Sequence, residues 1–143
     1  MTVTVTGAGV FSGVITFPET VTITAAAPSA TTNFDTVTQS LQYYTTNASA
    51  NFTLNIRGNS TTTFNSFSSV GLSYTLVLMV TNGATPYYPN VIQIDGSTVT
   101  PKWQGGTAPT GGNASAIDVY TFTVIKTAAT PTYVVLAAQT QYK

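Results

Sequence analysis

From Ile117 to Ile125 the chain alternates without a break, with Tyr120, Phe122 and Val124 on one phase and Thr121 and Thr123 on the other. A repeat of two residues is that of a strand with one face turned to a core, and a helix would scatter those side chains around its axis. Phe52, Leu54 and Ile56 alternate with Thr53 and Asn55 in the same way, and Val3, Val5, Val21 and Ile23 alternate with threonines. These are the β-branched and aromatic residues that suit a pleated surface. No segment carries a helical apolar stripe. Roughly eight to eleven short strands, with turn signals about every 8 to 12 residues, predict an all-β fold, an antiparallel β-sandwich of jelly-roll type.

Local signals punctuate the strands. Asn82-Gly83 and Asp95-Gly96 are pairs that favour type I′ hairpins, because both tolerate positive φ. Pro86 and Pro89 each lack a ladder donor, so residues 84–90 read as a loop or an edge strand. The runs 37–44, 98–103 and 132–141 read as strands, and Phe64 and Phe67 bound a weaker one. Leu72 to Thr81 is apolar on both phases, the mark of a central strand covered on both faces. Residues 25–32 are small, polar and aperiodic, a linker or a crossover between sheets. The expected organisation is therefore residues 1–32 as an N-terminal β arm or the first strands of the sandwich, and 33–143 as the sandwich itself. Integration of the first strands is favoured, because an isolated hairpin is marginal.

The chain has 143 residues, enough for one domain with a substantial core, and only 6% of them are charged, with zero net charge. Such a surface has no basic face for phosphates, so no nucleic-acid partner is expected. It also lacks the repulsion that keeps free proteins apart. Hydroxyl groups (about one residue in five is Thr) and cover by neighbours in an assembly are two remedies. There is no cysteine, hence no disulfide and no thiolate chemistry. The N-terminus has neither the basic patch nor the apolar core of a signal peptide, and the longest apolar run, Leu76 to Val80, is strand-sized. Synthesis in the cytoplasm without membrane insertion is the expectation. Sequons at Asn47, Asn51, Asn59 and Asn113 carry no weight in a chain so rich in Ser and Thr.

Catalysis needs groups that move protons. The chain has no histidine, and its four acids, Glu19, Asp35, Asp95 and Asp118, are far apart in sequence. Structural roles account for them: Asp95 in a turn, Glu19 and Asp35 at strand ends, and Asp118 accepting hydrogen bonds from loop amides near Trp103. No acidic loop suits a metal, and the glycine pairs at 105–106 and 111–112 lack the Lys and helix start of a phosphate cradle. No catalytic, cofactor or metal site is expected, and no enzyme. The candidate contact surface is aromatic: the pairs Tyr43-Tyr44 and Tyr87-Tyr88, and Trp103, the single tryptophan. Adjacent residues on a strand face opposite ways, so one tyrosine of each pair is expected outside the core, free to meet a protein or stack on a sugar ring.

The run Lys102 to Thr110 (KWQGGTAPT), followed by Asn113 and Ile117 to Phe122 (IDVYTF), resembles a motif that recurs in virion structural proteins of tailed phages, especially those of marine cyanobacteria. These are tail-fibre, appendage and capsid-decoration modules. Tyr43 to Gly58 is similar to the upstream part of the same module, and the likeness extends from Phe34 to the C-terminus. It implies a non-catalytic virion protein, a homotrimer in contact with capsid or tail proteins. The chain begins almost at the module, with no shaft ahead of it. That favours a small head-decoration protein or a compact appendage subunit, with residues 1–24 as the expected anchor. The alternative is a carbohydrate-binding adhesin module that recognises a host surface glycan through Tyr and Trp.

Overall fold

The computed structural model describes residues 19–143. The alternating runs expected at residues 2–17 lie outside them. In chain order the elements are β1 (Val21–Thr24), β2 (Thr31–Asp35), β3 (Leu41–Tyr44), β4 (Phe52–Arg57), α1 (Phe64–Phe67), β5 (Ser73–Thr81), β6 (Pro89–Ile94), β7 (Ser97–Val99), β8 (Lys102–Trp103), β9 (Ile117–Ala128) and β10 (Thr132–Tyr142). They form a six-stranded sheet in the order β1-β3-β5-β9-β10-β8 and a four-stranded sheet in the order β2-β4-β6-β7.

The fold is all-β, but its sheets are mixed. The antiparallel jelly-roll pairing expected from turn spacing is replaced by parallel pairing between β1 and β3, β3 and β5, β2 and β4, β4 and β6, and β8 and β10. The physical reason lies in the connections. From β1 to β6 the chain changes sheet after every strand, so each strand returns alongside its predecessor in the same direction. Short loops that look like hairpin turns are here crossovers between sheets. The turns stack as the strands do: Thr45 N donates to Thr24 O (3.1 Å), Thr53 N to Ala30 O (3.0 Å) and Thr36 N to Arg57 O (3.0 Å). Residues 21–35 take part fully, β1 against β3 and β2 against β4.

Inward-facing residues of both sheets meet in one core. Phe34, Leu54, Ile56, Ile92 and Ile94 come from the smaller sheet, and Leu76, Leu78, Val80, Tyr120, Phe122 and Val124 from the larger. The alternation of β4 and β9 falls on the expected phases. Asp95-Gly96 makes the expected hairpin between β6 and β7, with φ of 50° and 79°.

Other expectations fail for identifiable reasons. Asn82-Gly83 has no positive φ and makes no hairpin. The strand expected over 37–44 begins only at Leu41, because Asp35 O accepts the amides of Thr38 and Gln39 in a turn that leaves Val37 outside. The run 98–103 divides at Pro101, β7 staying with the smaller sheet and β8 joining the larger. The weak strand bounded by Phe64 and Phe67 is helix α1. Thr63 Oγ1 caps it, accepting from Ser66 N (3.1 Å), and Asp95 takes the amides of Phe64 (2.7 Å) and Asn65 (2.9 Å). At its other end the buried amine of Lys126 donates to the carbonyls of Asn65 (2.8 Å) and Ser68 (2.9 Å). Phe64 then packs edge-on against Phe67, Tyr74 and Tyr133, closing one end of the core.

Candidate functional site

Trp103 stands at the edge of the larger sheet. β8 pairs it with Ala137, an inward position, so the indole covers the rim of the core and meets Phe122 edge-to-face at 6.0 Å. The chain then leaves the sheet through a 3₁₀ turn at Gln104–Gly106, where Gly105 and Gly106 take φ of 75° and 82°. Side chains with a Cβ resist that conformation, which explains the glycine pair.

The loop after this turn is anchored by Asp118. The carboxylate is fully buried and accepts from Asn113 N (2.8 Å), Asn113 Nδ2 (2.6 Å) and Asn82 Nδ2 (2.9 Å). The expected bonds from loop amides to Asp118 are thus present. Asn82 Oδ1 in turn accepts from Tyr87 N (2.9 Å), and Asn82 N and Ser115 N donate to Ala116 O and Gly83 O. Two loops, 82–88 and 107–116, are sewn together around one carboxylate. Gly112 sits in the seam, where an added Cβ would lie 2.5 Å from Tyr87 O. Beneath it, Gln139 Nε2 bridges Gly111 O (3.1 Å) and the Tyr120 hydroxyl (3.0 Å). Burial, reinforced by the nearby Asp118 charge, pushes the Tyr120 hydroxyl well above the usual phenol range.

Tyr88 and Trp103 line one groove of about 300 Å³, together with Asn90, Thr98, Pro101 and Pro109. Aromatic and prolyl surfaces beside hydroxyl and amide groups can hold a sugar ring or a polypeptide segment. The groove lining carries no carboxylate. The other aromatic candidates separate. Tyr87 is half-buried against the core in the same loop, and Tyr44 is a core residue whose hydroxyl accepts from Gln42 Nε2 (3.0 Å). Burial raises its pKa. Tyr43 points the opposite way, onto the outer face of the larger sheet, as adjacent strand positions must.

The remaining acids do not line the groove. Asp35 pairs with Arg57 at 2.6 Å, Asp95 serves α1, and Glu19 accepts from Ser40 Oγ at 3.3 Å. Among the described residues no three potential metal ligands cluster. Sequence reading missed Asn82, Asn113 and Gln139 as organisers and Lys126 as a buried tie, since a polar residue's distant partner leaves no local pattern. No family model, curated protein or solved structure matches the chain.

Proposed function

We propose that the chain is a non-catalytic structural protein of a phage virion. On this reading it is a β-sandwich module that decorates the capsid or forms part of a tail appendage, self-assembling as a homotrimer and contacting capsid or tail proteins. The observation that carries the reading is the use made of ionisable groups. Asp35 with Arg57, Asp95 on α1, Asp118 between two loops and Lys126 on two carbonyls each hold one chain segment to another. Charges used as struts leave few free on the outer surface, whose hydroxyls, amides and apolar groups identical copies can share without repulsion. The likeness of the Lys102–Phe122 motif to phage appendage and decoration modules points the same way.

Gradient-purified particles should contain the chain in fixed ratio to the major capsid or tail protein, and particles produced without it should take up the purified protein. Its absence from purified particles would overturn the proposal.

One observation favours a second reading, an adhesin for a host glycan: Tyr88 and Trp103 share a groove. A glycan array probed with the isolated protein tests it. Sugar binding that disappears in both Trp103→Ala and Tyr88→Ala would support the adhesin, and uniform silence would remove it.

A further inference from the structure

The two sheets turn unlike faces outward. On the smaller sheet the outward row is Asn33, Asn55 and Gln93, beside the Asp35–Arg57 pair, and Asn55 Nδ2 donates to Asn33 Oδ1 at 2.8 Å. Water solvates such a face readily. On the larger sheet the register sets Ile23, Tyr43, Met79 and Val119 side by side in one outward row, with Leu41 beside Val77 in the next. Ile23 is 67% exposed and Leu136, on β10 of the same face, 44%. Among the described strand residues of this face the one charged side chain is Lys102, on the edge strand. β5 thus has the two-sided apolar composition of a covered strand, while only its inner phase is buried. The apolar rows run over β1, β3, β5 and β9 and give way to threonines towards β10, an uncharged patch of the kind that marks a contact surface.

We propose that this face is a self-association surface, occupied by the same face of a second copy of the chain. Charge selects the occupant: with Lys102 the one charged strand residue on it, the face offers a charged partner little, whereas the neutral face of another copy, in the homotrimer proposed above, meets it without repulsion. Area permits it. Six strands about 4.8 Å apart, with outward rows of similar total extent, give roughly 600 Å² on each copy, and about 1,200 Å² in the pair reaches the lower range of specific stable interfaces. The inference gives the self-assembly proposed above a location, and rests on that reading for its biological setting.

The test compares the native chain, the Val77→Lys/Met79→Lys double variant and Val91→Lys, which changes the outer face of the other sheet, by light scattering on a sizing column with circular dichroism as the folding control. The native chain should have a mass of two or more times 14.9 kDa, the double variant should fall to 14.9 kDa with an unchanged spectrum, and Val91→Lys should keep the native mass. Should the double variant lose its folded spectrum, Val77→Thr/Met79→Thr keeps strand-forming residues and should weaken association at least tenfold. A native monomer, or folded face variants that keep the native mass, would overturn the inference. So would association that appears only after residues 1–18 are removed, which would assign the face to the chain's own N-terminal segment. Face variants that become monomers support the inference whether or not the native protein is found on particles. Absence from particles sinks the virion reading alone.

Discussion

Asn82 Nδ2 lies 2.9 Å from Asp118 Oδ2, and that bond joins the loop after β5 to the start of β9. The two residues are 36 apart in sequence. With Asn113 on the same carboxylate, the contact ties the loop that leads to Tyr88 to the loop that follows Trp103.

Asp118→Ala should therefore destabilise the chain by about 3 kcal/mol, since it leaves one buried and two part-buried donors without their charged acceptor. Asn82→Ala should lose about 2 kcal/mol, and the double variant less than the sum, because the two share one network. Urea unfolding followed by Trp103 fluorescence measures all three. Strict additivity would show that the two loops hold independently.

Gly112→Ala should lose about 1–3 kcal/mol, because its Cβ would press on the Tyr87 carbonyl at 2.5 Å, and backbone cannot yield as a side chain can. Gly111→Ala, where no atom lies within 4 Å of the added carbon, is the control and should change stability little. Equal losses at the two positions would mean that backbone freedom, not the close approach, explains the glycine.

The inward phases were legible in the sequence because periodicity reports which face a residue takes: Phe52, Leu54 and Ile56, or Tyr120, Phe122 and Val124, have the same signature whatever strand lies beside them. For that reason the parallel pairing was not legible. Thr31 beside Thr53 and Leu41 beside Val77 are decided by chain crossovers between sheets, and a crossover loop has the same composition as a hairpin loop. Asp95-Gly96 behaved as its local chemistry dictates. Asn82-Gly83 did not, since the Asn82 side chain gains more from Asp118 and the Tyr87 amide than a tight turn offers. At the candidate groove, Tyr88 and Trp103 could each be singled out as large amphipathic residues. Their juxtaposition is tertiary, Tyr88 being held by Asn51 and the Phe52 amide and Trp103 by its pairing with β10.

Alkaline pH should unfold the chain earlier than its neutral composition suggests. Burial and the Asp118 charge raise the Tyr120 pKa, and burial raises those of Tyr44 and Tyr133. In the unfolded chain these phenols release protons near pH 10, while in the folded chain they still hold them. The unfolded state then binds fewer protons, so stability is intact below about pH 10 and falls as pH rises above it, by up to about 1.4 kcal/mol per pH unit for a fully protected group such as Tyr120. Urea midpoints between pH 8 and pH 11.5 read this directly, and Tyr120→Phe should flatten the decline. An unchanged slope in that variant would place the alkaline sensitivity elsewhere.

Asp95 does two jobs that substitution can separate. Its backbone takes φ of 50° in the hairpin, and its carboxylate accepts the first amides of α1, from Phe64 and Asn65. Asparagine tolerates the left-handed conformation but offers one acceptor oxygen where the carboxylate offers two, so Asp95→Asn should cost about 1 kcal/mol. Alanine loses both acceptors and strains the turn, and Asp95→Ala should cost about 3 kcal/mol. Glycine relieves the strain without restoring an acceptor, placing Asp95→Gly between the other two. Hydrogen exchange separates the two jobs further. Loss of the carboxylate should speed exchange at Phe64 and Asn65 in all three variants, since α1 is too short to persist once its amides lose their acceptor. Exchange there that matches the native chain in Asp95→Gly would mean that packing of Phe64 against Phe67, Tyr74 and Tyr133 holds α1 in place, and that Asp95 acts through the turn alone.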